Sequence, residues 1–157
     1  MLDVFQTKMG KKEELLQFCW DQMNIRSQRL KQASEALQES LDSETKNSTG
    51  DKHETGRAMV QLEQEKLAQQ VQELDRVKGV LKKIDITKKS TKIGLGSMVS
   101  TSLANYFISI SCGTFAVDGK TFYCISMESP IAKLLVGKEA GEGFVFNEAS
   151  HSVSEVV

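Results

Sequence analysis

At 157 residues the chain has room for one ordinary domain or two small ones. Its 20 Lys and Arg against 21 Asp and Glu leave a formal net charge of −1, which argues against a protein held to nucleic acid by bulk charge and so against independent DNA binding. A hydrophobic fraction of 39% is too high for a disordered chain, and no run approaches the ~18 apolar residues of a membrane span.

The averages hide an asymmetry. Residues 1–83 carry 28 of the 41 charged residues, while residues 84–157 carry seven of the ten aromatics and seven of the eleven glycines. A charged, glycine-poor half followed by an aromatic, glycine-bearing half predicts helices first and a sheet second. The expected fold class is therefore α+β: a long antiparallel coiled coil over 1–85, then a small antiparallel sheet domain with a short helix over 86–157.

In chain order, Met1–Phe5 lacks a basic segment followed by an apolar core, so no secretory signal is expected. From Lys11 to about Leu41 neither proline nor glycine occurs, and Leu16, Met23, Leu30 and Leu37 recur at seven. Cys19, Arg26, Ala33 and Ser40 form a weaker stripe three residues on, with the Arg26 stem expected to cover apolar surface. Residues 42–56 lack large apolar side chains and are rich in turn formers, which predicts a solvated connection. From Arg57 to about Lys83, Val60, Leu67, Leu74 and Leu81 again recur at seven, so the two helices should pack as an antiparallel hairpin.

The pattern changes after Ile84-Asp85-Ile86. Met98–Leu103, Tyr106–Cys112 and Thr121–Ser126 read as strands, with Asp118-Gly119 as a type I′ hairpin turn. Ser129 as N-cap, Pro130 at N1 and Gly137 at C′ bracket a helix of about two turns. Phe144–Phe146 and Ser150–Val157 read as the last strands.

The catalytic inventory is small. His53 and His151 are the two histidines, and neither lies in a nucleophile pattern; no Walker loop, G-x-S-x-G or H-E-x-x-H occurs. Cys19, Cys112 and Cys124 contain no Cys-x-x-Cys, which argues against a disulfide framework or a zinc site and for reduced, mostly buried thiols in a cytoplasmic protein. The distinctive feature is the acid-rich connection: Glu39, Asp42, Glu44, Asp51 and Glu54. If the second helix starts near Asp51, the three-residue spacing to Glu54 puts both carboxylates on one face. Oxygen ligands of this kind suit Mg²⁺; the same pattern also caps a helix, and the two are compatible.

Three local matches, in order, resemble the Gre (GreA/GreB-type) transcript-cleavage factors of bacterial RNA polymerase. Gly50-Asp51-Lys52-His53-Glu54 is similar to the family's tip motif Gly-Asp-x-x-Glu. Gly96-Ser97-Met98-Val99 is similar to the Gly-Ser-x-Val that opens its C-terminal sheet. Ser129-Pro130-Ile131-Ala132-Lys133-Leu134-Leu135-Val136-Gly137-Lys138-Glu139 closely resembles Ser-Pro-Ile-Ala-(Arg/Lys)-x-Leu-(Ile/Val)-Gly-Lys and is the most specific.

The resemblance implies an FKBP-like C-terminal domain that docks at the rim of the polymerase secondary channel, with the coiled coil carrying its tip to the active site. It implies an accessory factor, not an enzyme, that stimulates the polymerase's own cleavage of backtracked RNA. Asp51 and Glu54 would help hold a polymerase Mg²⁺ and orient the attacking water, with no cofactor bound stably to the factor itself. Asp42, Glu44 and His53 would lie beside them. Lys46, Lys52 and Arg57 are candidates for contacts to the nascent RNA 3′ end, and Glu128, Ser129, Pro130 and Ile131 for contacts to polymerase.

The chain departs from the pattern in places. The tip continues Glu54-Thr55-Gly56-Arg57-Ala58 where the family has Glu-Asn-Ala-Glu-Tyr, about nine extra residues precede it, and the C-terminus is shorter, which points to a reduced last strand. The alternative function is accordingly a Gre-fold regulator or inhibitor that occupies the channel without promoting cleavage. A prolyl isomerase is a more distant reading, resting on the FKBP-like domain alone.

Overall fold

The computed structural model describes residues 10–46 and 52–157; the side chains of 44–46 and 52–55 lie outside that description. The class is α+β, as expected. Helices α1 (Lys11–Lys46) and α2 (Lys52–Lys82) precede strands β1 (Met98–Thr101), β2 (Asn105–Ser109), β3 (Gly113–Val117) and β4 (Lys120–Ser126); α3 (Pro130–Leu135), β5 (Gly143–Phe146) and β6 (Ala149–Val156) complete the chain. None of the described helices is long and apolar enough to cross a membrane.

The chain forms two compact units: Gln22–Lys78, and the segments up to Asp21 and from Gly79 to Val157. The division falls inside both long helices, so their first and last turns belong to the same unit as the sheet.

In the helical unit the expected connection over 42–56 is much shorter. α1 runs on to Lys46 and α2 starts at Lys52. Polar residues continue a helix readily, and in α2 even Gly56, at a cost of about 1 kcal/mol, does not stop it, so the missing apolar stripe marks the end of packing rather than the end of the helix. At ~1.5 Å per residue α1 rises about 54 Å. Lys78 Nζ donates to Ser27 Oγ at 2.6 Å, which fixes the antiparallel pairing. Met23, Val60 and Leu74 are buried and Leu30, Leu37 and Leu67 half-buried, as the heptads predict. The weaker stripe does not form a seam: Arg26, Ala33 and Ser40 are all exposed, and Ser27 takes the inward position through its bond to Lys78.

In the other unit six strands lie in the order β3-β4-β2-β1-β6-β5. The expected antiparallel sheet is instead mixed: all neighbours are antiparallel except β2 and β4, which run parallel from Asn105↔Phe122 to Ser109↔Ser126. The chain leaves β2, passes over one strand position and enters β3; the Asp118-Gly119 turn then folds β4 back into the gap. Asp118 and Gly119 have φ of 50° and 76°, the expected type I′ geometry. The β5–β6 hairpin makes the same turn with Asn147 and Glu148 (φ 51° and 65°). β6 spans eight residues, so the last strand is not reduced.

Both faces of the sheet are covered, and β2 is therefore buried from Tyr106 to Ser109 without alternation. Tyr106, Ile108, Val99, Val153 and Phe144 pack with Ile131, Ala132 and Leu135 of α3. On α1, Phe18 stacks on Phe115 of β3 with ring centroids 4.7 Å apart, and Cys19 meets Ser109 of β2.

Candidate functional site

In sequence, the expected tip acids fall between the end of α1 and the first turn of α2. Five residues, 47–51, join α1 to α2; Asp51 lies among them, outside the described residues. Glu54 falls in the first turn of α2, so the helix begins within one residue of the start that the paired-carboxylate spacing requires. The side chains of Glu44, Lys46, Lys52, His53 and Glu54 also lie outside the description. Two candidates beside the tip are described. Asp42 is exposed and accepts a hydrogen bond from Gln38 Nε2 at 3.2 Å, and Arg57 is exposed on α2.

The second candidate segment is built by a helix start. Ser129 Oγ accepts from Ala132 N–H at 3.3 Å and donates to the Ser126 carbonyl at 2.8 Å, and Pro130 opens the helix. At the other end Gly137, with φ of 87°, ends the helix as a C′ glycine. Gly137 N–H donates to the Ile93 carbonyl, and Ile93 N–H to that of Lys138, which tie α3 to the connector before β1. Ile131 is turned into the core, so its side chain is not a contact surface, and Glu128 and Pro130 are the exposed members of the segment. Sequence reasoning missed the apolar side chains beside them: Met127, Leu134 and Val136 are all exposed. Leu134 alternates with the buried Leu135 on a two-turn helix, which is the signal that could have found it.

A cleft of about 510 Å³ opens between the start of α1 and the sheet, lined by Lys11, Lys12, Met98, Val117, Lys120 and Phe122 among others. Phe122 is its one aromatic among the described residues, a poor match to the aromatic pocket that a prolyl isomerase would want. Burial, and then nearby Lys89, lower the Lys12 ammonium from its ordinary value.

A third grouping was not anticipated. Cys19 on α1, Cys112 before β3 and Cys124 on β4 converge, with all three sulfurs within 4.8 Å of one another. Cys112 Sγ lies 3.5 Å from Cys19 Sγ, and Ser109 Oγ lies 3.4 Å from the same sulfur. Cys19 and Cys124 are buried and Cys112 half-buried. Hydrogen bonds to the Cys19 sulfur from Cys112, then Cys124, hold its thiol well below the ordinary pKa against the opposing effect of burial. The same bonds to Cys112 and Cys19, with burial, push Cys124 far up. The type I′ turn could have revealed part of this: a two-residue hairpin at Asp118-Gly119 pairs Cys124 with Gly113, next to Cys112. The approach of Cys19 from a helix ninety residues away carries no local signal.

No protein-family model and no curated protein matches the chain. Among solved structures, the GreA factor homolog 1 (Gfh1) protein of Thermus thermophilus is 20% identical, covering 90% of this chain and 94% of its own, with a TM-score of 0.33. Gfh1 of Thermus aquaticus is 21% identical, covering 91% and 92%, with a TM-score of 0.32.

Proposed function

We propose that this chain is a Gre-type accessory factor that binds RNA polymerase, places its helical hairpin in the secondary channel and brings Asp51 and Glu54 to the active site. The observation that carries the reading is the order of two sequence matches, one between the long helices and the more specific one on the short helix, which is the order the function needs. The Gly50–Glu54 match falls at the junction of two long antiparallel helices. The Ser129–Glu139 match falls on a tightly capped helix flanked by exposed apolar side chains, a surface suited to docking.

The chemistry asks little of the factor. Two divalent ions stabilise the attacking and leaving oxygens of RNA hydrolysis, and the factor supplies a carboxylate ligand and a positioned water. A hairpin with no complete site of its own is inert without polymerase, so the chain is not an enzyme in isolation. The near-zero net charge agrees with RNA that is presented by the partner.

The altered tip favours a second reading, a channel-occupying regulator. Thr55-Gly56-Arg57-Ala58 supplies neither the Asn nor the Tyr of the family pattern, and it places a cation close to Glu54 in sequence. A backtracked elongation complex with labelled RNA separates the two. Under Mg²⁺ the factor should shorten the RNA from its 3′ end, and Asp51→Ala or Glu54→Ala should abolish this while leaving polymerase binding intact. Binding without cleavage selects the regulator; absence of binding refutes both.

A further inference from the structure

We propose that Cys19, Cys112 and Cys124 form a binding site for one thiophilic d¹⁰ metal ion, Zn(II) or Cu(I), inside the sheet-bearing unit. The site is separate from the tip acids and independent of the polymerase reading.

The geometry supports this directly. Three sulfurs lie within 4.8 Å of one another, Cys19 and Cys112 at 3.5 Å, and so surround a common centre. A point equidistant from such a trio lies roughly 2.0–2.8 Å from each sulfur, a range that brackets the ~2.3 Å of a thiolate–zinc bond. An ion at that point needs only small side-chain adjustments. Three isolated cysteines used as small core hydrophobes have no reason to point their sulfurs at one position.

The framework holds the ligands on rigid elements. Cys19 is fixed on α1 between the buried Leu15 and Met23. Cys124 is fixed on β4, with Phe107 on one side and Gly113 on the other in the sheet register. Gly113 has φ of 105°, and this left-handed backbone opens β3 immediately after Cys112. Ser109 Oγ lies within hydrogen-bond distance of the Cys19 sulfur, and its hydroxyl is shared between that sulfur and the Phe107 carbonyl; an outer contact of this kind orients a metal ligand. The half-buried Cys112 leaves an entry path on its side.

The donor set selects the metal class. It comprises sulfur alone, with neither imidazole nor carboxylate among its described members. Thiolates favour Cu(I) and Zn(II) over Mg²⁺ or Ca²⁺. Trigonal sulfur coordination suits Cu(I), whereas Zn(II) would add water as a fourth ligand. Uptake forms up to three metal–sulfur bonds and releases the corresponding thiol protons to solvent, with no change of oxidation state.

The test uses the full chain, kept reduced and anaerobic. Co(II) is titrated first as a spectroscopic probe, then displaced by Zn(II); Cu(I) is titrated separately against a chromophoric chelator. One Co(II) per chain should saturate near-ultraviolet thiolate-to-metal charge-transfer bands, and one equivalent of Zn(II) or Cu(I) should abolish them. Cys112→Ser, at the least buried position, should weaken binding by about tenfold or more, the loss that even an outer-shell change produces. Cys124→Ala provides a second variant, and far-ultraviolet circular dichroism shows that each is folded. The proposal is overturned if neither ion binds stoichiometrically, or if charge-transfer bands persist unchanged in the folded variants.

Discussion

Replacing Ser129 by alanine tests whether the most specific sequence match is also a structural device. The hydroxyl caps α3 through Ala132 N–H and bonds the Ser126 carbonyl. Losing an N-cap costs about 1 kcal/mol, and losing the second hydrogen bond about 1 kcal/mol more. Ala132 is fully buried, so its amide gains no water in exchange. A unit of roughly this size loses about 4–8 °C in Tm per kcal/mol, so Ser129→Ala should melt about 10 °C lower. Trp20, the single tryptophan, lies within the sheet-bearing unit and provides a fluorescence readout of its unfolding. Ser129→Asp keeps an acceptor for Ala132 N–H but no donor for Ser126, and should recover about half of the loss. A Tm for Ser129→Ala within about 1 °C of the parent chain, or an aspartate no better than alanine, would refute the capping argument.

Three further outcomes follow from the backbone and the core. Gly96→Ala should destabilise by about 1–2 kcal/mol in urea unfolding, because φ is 89° and a Cβ would meet Ile84 Cγ2 at 3.1 Å, whereas Gly94→Ala, with open space around it, should be near neutral. Glu148→Gly should raise Tm, since Glu148 holds φ of 65° in the β5–β6 turn at a cost of about 1 kcal/mol that glycine avoids. Burial, and then neighbouring Tyr123, raise the Tyr106 phenol above its ordinary 10.0. The folded chain therefore keeps this proton after the unfolded chain has lost it: the contribution to stability is complete below about pH 10 and falls as pH rises further. Urea midpoints should drop across that window in the parent chain and drop less in Tyr106→Phe.

The fold was legible in the sequence where local chemistry decides it. The heptads of Leu30, Leu37, Leu67 and Leu74, the Asp118-Gly119 turn and the Ser129-Pro130…Gly137 bracket all appear in their expected places. What was not legible depends on long-range contacts. The parallel β2–β4 pair follows from a hairpin folding back into a gap, which no local pattern encodes. The Asn147-Glu148 turn was missed because glutamate is a poor left-handed residue, held there by the pairing on either side. Helices α1 and α2 outran their apolar stripes because nothing in 42–46 or 52–56 stops a helix strongly enough. Of the candidate site, the position of Glu54 in a first helical turn was legible, and the three-cysteine cluster was not.

Mapping where the hairpin tip goes tests the central claim most directly. A cleavage-generating iron chelate attached at Asn47→Cys, in a Cys112→Ser background, would cut whatever lies within a few ångströms of the tip in a complex with a backtracked polymerase. The account predicts cuts at the nascent RNA 3′ end and in the polymerase segments that hold the catalytic Mg²⁺. A stable complex in which neither is cut would contradict it.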